Sequence, residues 1–386
     1  MATSLRPAPK EDFEAALSEP LAQRQLVWRR FKKHRIGVIG AVVVLFLIFL
    51  VVFADFLGPY HYGTHHKELN FAPPTRVHFW DEQGRFSFPP FVYGIASRKG
   101  DFEEKIYYED TSKKYPICFF CAGDSYRLLG WLETDIHLFG TGEGPTSSGQ
   151  IFLFGTDNFG RDFFTRTLVG GRISLSIGPL VLIFSLTLAI LFGGLSGYYG
   201  GAVDLALQRF IEILQAFPGL PLLIALAYVV QKLNLPPLMV FFGVVLILGL
   251  LGWPGLARVL RGLFLSLREQ DYTQAARAMG AGDLRIIFRH LLPNTITVVI
   301  VTSTLTIPGL ILTEAALSFL GLGISEPLTS WGQLLNVLQQ QNPIAVVKYF
   351  PWLMIPGFFI TVAVLAFNFL GDALRDAFDP FSNQGR

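Results

Sequence analysis

Six apolar stretches, at residues 36–57, 173–197, 205–230, 239–260, 295–322 and 351–370, recur along the chain. Each comes close to the roughly 20 residues that cross a hydrocarbon core about 30 Å thick. A helix satisfies its own backbone groups inside such a core, so the pattern predicts an all-α polytopic membrane protein with six transmembrane helices. Between the first and second stretches the texture changes. Runs such as Arg76-Val77-His78-Phe79-Trp80 and Arg85-Phe86-Ser87-Phe88 alternate apolar and polar residues on either side of Gln83-Gly84, the pattern of a β-hairpin about a tight turn. Residues 58–150 are therefore expected to form a small, mainly β extracytoplasmic insertion between helices 1 and 2. A Gly-, Ser- and Thr-rich hinge at 140–149 would return the chain to the membrane. A second interruption, 272–293, is polar and helix-forming. It predicts a short helix at the bilayer surface whose small residues invite another protein to dock.

Composition agrees: about half the residues (51%) are apolar and only 16% charged, which argues against an ordinary soluble domain. Lys and Arg cluster before the first span (Arg29, Arg30, Lys32, Lys33, Arg35) and after the fourth (Arg258, Arg261, Arg268, Arg277, Arg285, Arg289). Such residues are retained in the cytoplasm, so both regions and both termini are expected there. The resulting layout is a basic N-terminal segment 1–35, a first helix 36–57, the insertion 58–150, a five-helix core 151–371 with a cytoplasmic loop 261–294, and a cytoplasmic tail 372–386. The first span reads as a retained anchor, because the segment before it is long for a signal peptide and no A-x-A-like site follows it. Leu26, Val27, Trp28 and Phe31, interleaved with the basic residues, suit an amphipathic helix on the inner leaflet, or else a solvated charged tail.

Chemistry-bearing motifs are scarce. There is no G-x-x-x-x-G-K-[ST] phosphate loop, no G-x-S-x-G elbow and no H-E-x-x-H helix, so neither ATP hydrolysis nor these hydrolase chemistries are expected of this chain. Cys118 and Cys121 lie in the insertion, where a local disulfide is allowed; a thioredoxin-like role lacks its βαβ context. His61, His65 and His66 match no ligand spacing of a known metal site and read as solvated loop histidines. Inside the spans, Glu212 and Glu314 are candidates for a transport path. Arg209, three residues before Glu212, shares its helix face and is placed to pair with it. Pro179, Pro218, Pro221, Pro254, Pro308 and Pro356 are expected to break helices repeatedly.

Within the cytoplasmic loop, Gln274-Ala275-Ala276, three residues, Gly280, nine residues and His290-Leu291-Leu292-Pro293 resemble the EAA loop of bacterial ABC importer permeases. Gln274 stands where that family has Glu, and His290 where it has Ile. Three further segments resemble the dipeptide and oligopeptide branch in the same order: Phe154-Gly155-Thr156-Asp157-Asn158-Phe159-Gly160-Arg161-Asp162; Leu317-Ser318-Phe319-Leu320-Gly321-Leu322-Gly323 with Ser330-Trp331-Gly332-Gln333; and Ala366-Phe367-Asn368-Phe369-Leu370-Gly371-Asp372-Ala373-Leu374-Arg375-Asp376 with Asp379-Pro380.

The resemblance implies a C-type permease subunit in the bacterial cytoplasmic membrane, part of an ATP-driven importer of peptides. Its expected partners are a homologous B-type permease, two ATPase subunits that bind ATP and Mg, an extracytoplasmic solute-binding protein and membrane lipid. No cofactor within this chain and no nucleic acid are expected. The resemblance places ATPase coupling at Gln274, Ala275, Ala276, Met279, Gly280, Asp283, Leu292 and Pro293, with Asp283 placed to cap the helix after the Gly280–Gly282 break. Asp157, Arg161 and Asp162 read as local caps and ion pairs at a span entrance, contact with cargo or binding protein being the alternative. Alternatives of function are import of nickel or another small solute, an ATPase-independent secondary transporter, and a thiol oxidoreductase built on the two cysteines.

Overall fold

The computed structural model describes residues 23–99, 105–143, 147–340 and 343–378. Asp379-Pro380, most of the N-terminal segment and part of the 140–149 hinge lie outside the described residues. Among the described residues five helical runs are long and apolar enough to span a membrane: α2 (Arg35–Val52), α4 (Phe163–Tyr199), α7 (Pro237–Leu267), Asp283–Phe319 and Pro351–Phe378. The sixth is bent. Residues 205–230 were expected to form one helix, but α5 (Gly201–Gln215) and α6 (Gly219–Lys232) meet at 76°. Pro218 sits at the corner in extended backbone (φ −64°, ψ 119°) and has no N–H with which to continue α5.

The other prolines do less than expected. Pro179, Pro254 and Pro308 lie inside continuous helices, as membrane-spanning helices tolerate. The first span is shorter than predicted: it ends at Val52, and after Phe53 comes a single turn, α3 (Ala54–Leu57).

Small residues set the closest helix contacts. A Cβ added at Gly37 would lie 1.9 Å from that of Ala373, and one at Gly40 would lie 2.7 Å from the Ala366 carbonyl, so the first and last spans meet backbone to backbone. Gly193 and Gly197 do the same between α4 and α7. The helix α1 (Gln23–Lys33) turns Phe31 against Ala373 and Ala377, leaving Trp28 and Leu26 exposed.

The insertion comprises an antiparallel sheet in the order β1-β2-β3 (His78–Trp80, Phe86–Lys99, Lys105–Pro116) and a separate hairpin, β4 (Cys118–Leu128) with β5 (Leu132–Gly140). Trp80 faces Phe86 across the predicted turn, which Gly84 closes at φ +72° while the Asp81 carboxylate accepts the Gln83 and Arg85 N–H groups. The sheet buries Phe91, Val92 and Tyr93, and Val92 packs with Ile117 and Ile151. The insertion is clasped to the start of the last span: Phe71 stacks on Phe350 at 4.8 Å, and Phe350 in turn lies edge-on to Trp352 at 5.7 Å. His66 is fully buried, edge-on to Tyr60 and Phe152, and is not the solvated loop histidine expected. Cys118 and Cys121 are joined by a disulfide.

Candidate coupling site

At the end of the helices remote from the insertion, α7 runs out at Leu267 and the chain turns through Gln270 into α8 (Asp271–Ala278). Thr273 Oγ1 donates to the Leu267 carbonyl at 2.9 Å and Gln274 Nε2 to that of Arg268 at 3.1 Å, so two side chains of α8 satisfy the frayed end of α7. Gly280, at φ +79°, reverses the chain into α9 (Asp283–Ile286). A single π turn, Ile287–Leu291, then leads into α10 (Leu292–Phe319).

One face of this segment is internal. Ile286, Ile287 and Leu291 pack with Tyr198 and Phe264, and Ala276 is buried. The other face is open: Gln274, Ala275, Gly280, Asp283 and Pro293 are exposed, Leu292 is half-buried, and Met279 is 82% exposed with Leu284 and Phe288 uncovered nearby in sequence. Asp283 does not cap its helix. Gly282 holds the cap position without a side-chain bond, while the Asp283 carboxylate accepts the hydroxyls of Tyr198 at 2.7 Å and Tyr199 at 3.0 Å. Each carboxylate oxygen takes one aromatic hydroxyl, Oδ1 that of Tyr198 and Oδ2 that of Tyr199. Arg277 lies over the Tyr198 ring at 5.6 Å, and Arg268 Nη1 donates to the terminal carbonyls of Gly197 and Tyr198. Tyr198, Tyr199 and Arg268 were not foreseen as site residues; the Tyr-Tyr-Gly-Gly break at 198–201 is the signal that could have found them. Nearby, Arg261 grips Asp204 with two N–H groups, at 2.5 and 2.6 Å.

The two intramembrane carboxylates lie in different settings. Glu212 is exposed and pairs with Arg209 at 2.8 Å. Glu314 is wholly enclosed, accepting from Ser318 Oγ at 2.7 Å and Ser174 Oγ at 3.4 Å, and Ser174 accepts in turn from the Trp331 backbone. This joins three helices.

At the insertion-bearing end, Asp162 caps α4 by accepting the Thr165 N–H at 2.9 Å. Asp157 accepts from Arg161 at 2.7 Å, and Arg161 and Arg166 both reach Glu326, at 3.0 and 2.8 Å. Arg166 and Glu326 were missed, Glu326 lying 160 residues further along the chain. Burial pushes Asp162 up to about 6 against its bonds to Thr165. Burial also acts to raise Glu326, but Arg166 and Arg161 outweigh it and hold the carboxyl below its usual range.

Two family patterns match the sequence. Residues 189–383, which contain the coupling segment, match the "Binding-protein-dependent transport system inner membrane component" family, and residues 22–74 match the "N-terminal TM domain of oligopeptide transport permease C". The chain belongs to the permease family, the multi-pass membrane components of bacterial ABC importers, and it is not itself the ATPase. Within that family it falls in the C-type oligopeptide/dipeptide branch. It is 43% identical over 265 residues to the oligopeptide transport system permease protein OppC of Haemophilus influenzae, a match spanning 68% of this chain and 80% of that one. Over nearly the full length it is 31% identical to the dipeptide transport system permease protein DppC of Lactococcus lactis (93% and 91% covered) and 29% identical to OppC of Bacillus subtilis (96% and 97%). Membership in this family implies an ATPase, a partner permease and a binding protein.

Proposed function

We propose that the chain is the C-type half of the translocation path of an ATP-driven importer of oligopeptides or dipeptides, paired with a B-type permease in the bacterial cytoplasmic membrane. Both termini and the segment 261–294 face the cytoplasm, where two ATPase subunits sit; the insertion faces outward, toward the binding protein. Peptide cargo rests on the names of the relatives. Coupling at Gln274, Ala275, Ala276, Met279, Gly280, Asp283, Leu292 and Pro293 rests on a single arrangement: an uncovered ridge headed by Met279 on a segment bolted through Asp283 to Tyr198 and Tyr199. Ala275 and Gly280 let a partner backbone come close, and an unbranched Met side chain fills an uneven groove. A push on α8 then reaches the ends of both α4 and α7, since packed helices move as discrete rigid bodies rather than deforming continuously.

Glu212 stands on the open face of α5 and is assigned to the path or to the partner permease. Glu314, enclosed by its serines, is assigned to packing. The test is purification of the subunit from its native membrane in mild detergent with identification of all co-purifying chains, followed by uptake of labelled di- and oligopeptides into proteoliposomes. Recovery of a second permease, ATPase chains and peptide uptake is the expected result; a lone chain without ATPase would overturn the reading, and a complex that moves another solute would overturn the cargo alone.

A further inference from the structure

The β4–β5 hairpin runs down the side of the molecule rather than away from it. Near its base, His137 Nδ1 lies against the Gly58 carbonyl and Phe120 against Phe56 at 6.1 Å. Its tip instead shares a groove of about 450 Å³ with Val51 and Val52, the last residues of the first span; Arg127, Leu129, Gly130 and Arg172 complete the lining. From Gly58 back to Val51 the descent is roughly 10 Å at a helical rise, so the tip stands level with the outer end of a lipid-spanning helix.

What the tip presents at that depth is apolar. Trp131 is 75% exposed, Leu129 57%, and Leu132 is also uncovered; Phe120, on the same hairpin, is 66% exposed. Immediately above them comes a polar collar, Arg127 facing and ion-paired with Glu133 at 2.8 Å. Two of the apolar residues are held in backbone conformations that disfavour them: Leu129 at φ +55° and Phe120 at φ +54°. Gly or Asn adopts that region with less strain, and a bulky side chain kept there points to a role for the side chain itself.

The geometry points to the hairpin as an interfacial anchor whose tip, Leu129-Gly130-Trp131, enters the headgroup and upper acyl region of the outer leaflet of the bilayer that the helices span. Trp favours that zone because its ring is apolar and its N–H can remain hydrated. Arg127 and Arg172 line the same groove and offer guanidinium N–H groups to lipid phosphates, although each also pairs with a carboxylate, Glu133 and Asp55. The insertion is thereby tied at two points, to the helices through Phe71 on Phe350 and to lipid through the hairpin, which sets its tilt relative to the membrane. This rests on the spanning helices and not on the cargo or the ATPase partners, so it can fail while the proposed function stands.

The test uses the full chain in its complex, reconstituted into vesicles of mixed zwitterionic and anionic phospholipid. A fluorophore is placed by Trp131→Cys and, separately, by Leu129→Cys, with retention of the complex as the check on folding. Quenching by a nitroxide borne on the lipid headgroup or upper acyl chain should exceed quenching by aqueous iodide several-fold at both positions. Adding Leu129→Asn, which relieves the left-handed strain, to the Trp131→Cys chain should reduce the lipid quenching while the hairpin remains folded. Iodide quenching equal to or above lipid quenching would overturn the anchor. Shielding from both quenchers would also overturn it, because the tip would then be covered by protein.

Discussion

The two ends of this molecule use charge in opposite ways. At the insertion-bearing end Arg161, Arg166, Asp157 and Glu326 form a balanced cluster, three of them almost wholly buried, with ion pairs made within the chain. At the coupling end, beside the Arg261–Asp204 pair, the Asp283 carboxylate is held by two tyrosine hydroxyls on one face of a segment whose other face, headed by Met279, remains open. A closed network gives one fixed geometry and little to offer a partner. A half-closed segment is fixed on one side and ready for contact on the other. The difference is what the proposed coupling role requires: motion would enter at the half-closed end, while the opposite end would act as a lock that keeps α4 and the loop at Glu326 in register.

Four substitutions break or sharpen this contrast, from the largest expected effect to the smallest. Arg166→Met leaves Asp157 and Glu326 with one guanidinium between them. Removing one partner of a buried pair costs about 3–5 kcal/mol, so a large fall in the thermal midpoint of the detergent-solubilised subunit is expected. An unchanged midpoint would mean that the network is ornamental.

Asp162→Asn reports on the same end through pH. Because the folded-state value is raised from 3.8 to about 6, the stability this carboxyl contributes is fully present below pH 4 and lost as pH rises through 6. The difference in stability between the parent and Asp162→Asn should therefore fall across that window, by on the order of 3 kcal/mol, and be flat above it. Glu326 acts in the opposite sense: its folded-state value is lowered, so its contribution is present above its ordinary value and lost as pH falls through the lowered one. Both chains retain Glu326, and the subtraction removes it.

Met279→Asp puts a charge on the open ridge. Loss of a central contact residue costs about 2 kcal/mol, roughly a 30-fold weaker hold on the ATPase subunits, measured by co-purification. The thermal midpoint of the permease alone should not move, in contrast to Arg166→Met. The double change Tyr198→Phe, Tyr199→Phe removes the two bonds to Asp283, each worth about 0.5–1 kcal/mol at this exposed carboxylate. The ATPases should still bind, but solute moved per ATP hydrolysed should fall. If docking and coupling fell together, the tyrosines would belong to the docking face and not to the bolt behind it.

Most of the spans, the insertion with its first turn, and the short polar helix after the fourth span could be read from the order of residues. Apolar runs of membrane-spanning length, the alternation around Gln83-Gly84 and the spacing of Ala275, Ala276, Gly280 and Pro293 are local patterns. Asp162 as a helix cap was legible for the same reason, its partner Thr165 being three residues away. The third span was misread because a hydropathy run records the apolar character of 205–230 but not the 76° corner at Pro218. Asp283 was misread because a carboxylate at the start of a helix has a ready local use, whereas its actual partners lie about 85 residues earlier in the chain.

By itself, then, the sequence determined which segments cross a membrane, which one folds as β, and which short polar helix carries the docking pattern, since each depends on residues close together in the chain. Only the tertiary structure decided that Glu326 closes the outward ion network, that Glu314 is enclosed by Ser174 and Ser318, that Tyr198 and Tyr199 hold Asp283, and that the hairpin tip descends to Val51. All of these contacts except that of Ser318 with Glu314, four residues apart, join residues distant in sequence. Distance, burial and the competition among hydrogen-bond partners come into being only when the helices pack.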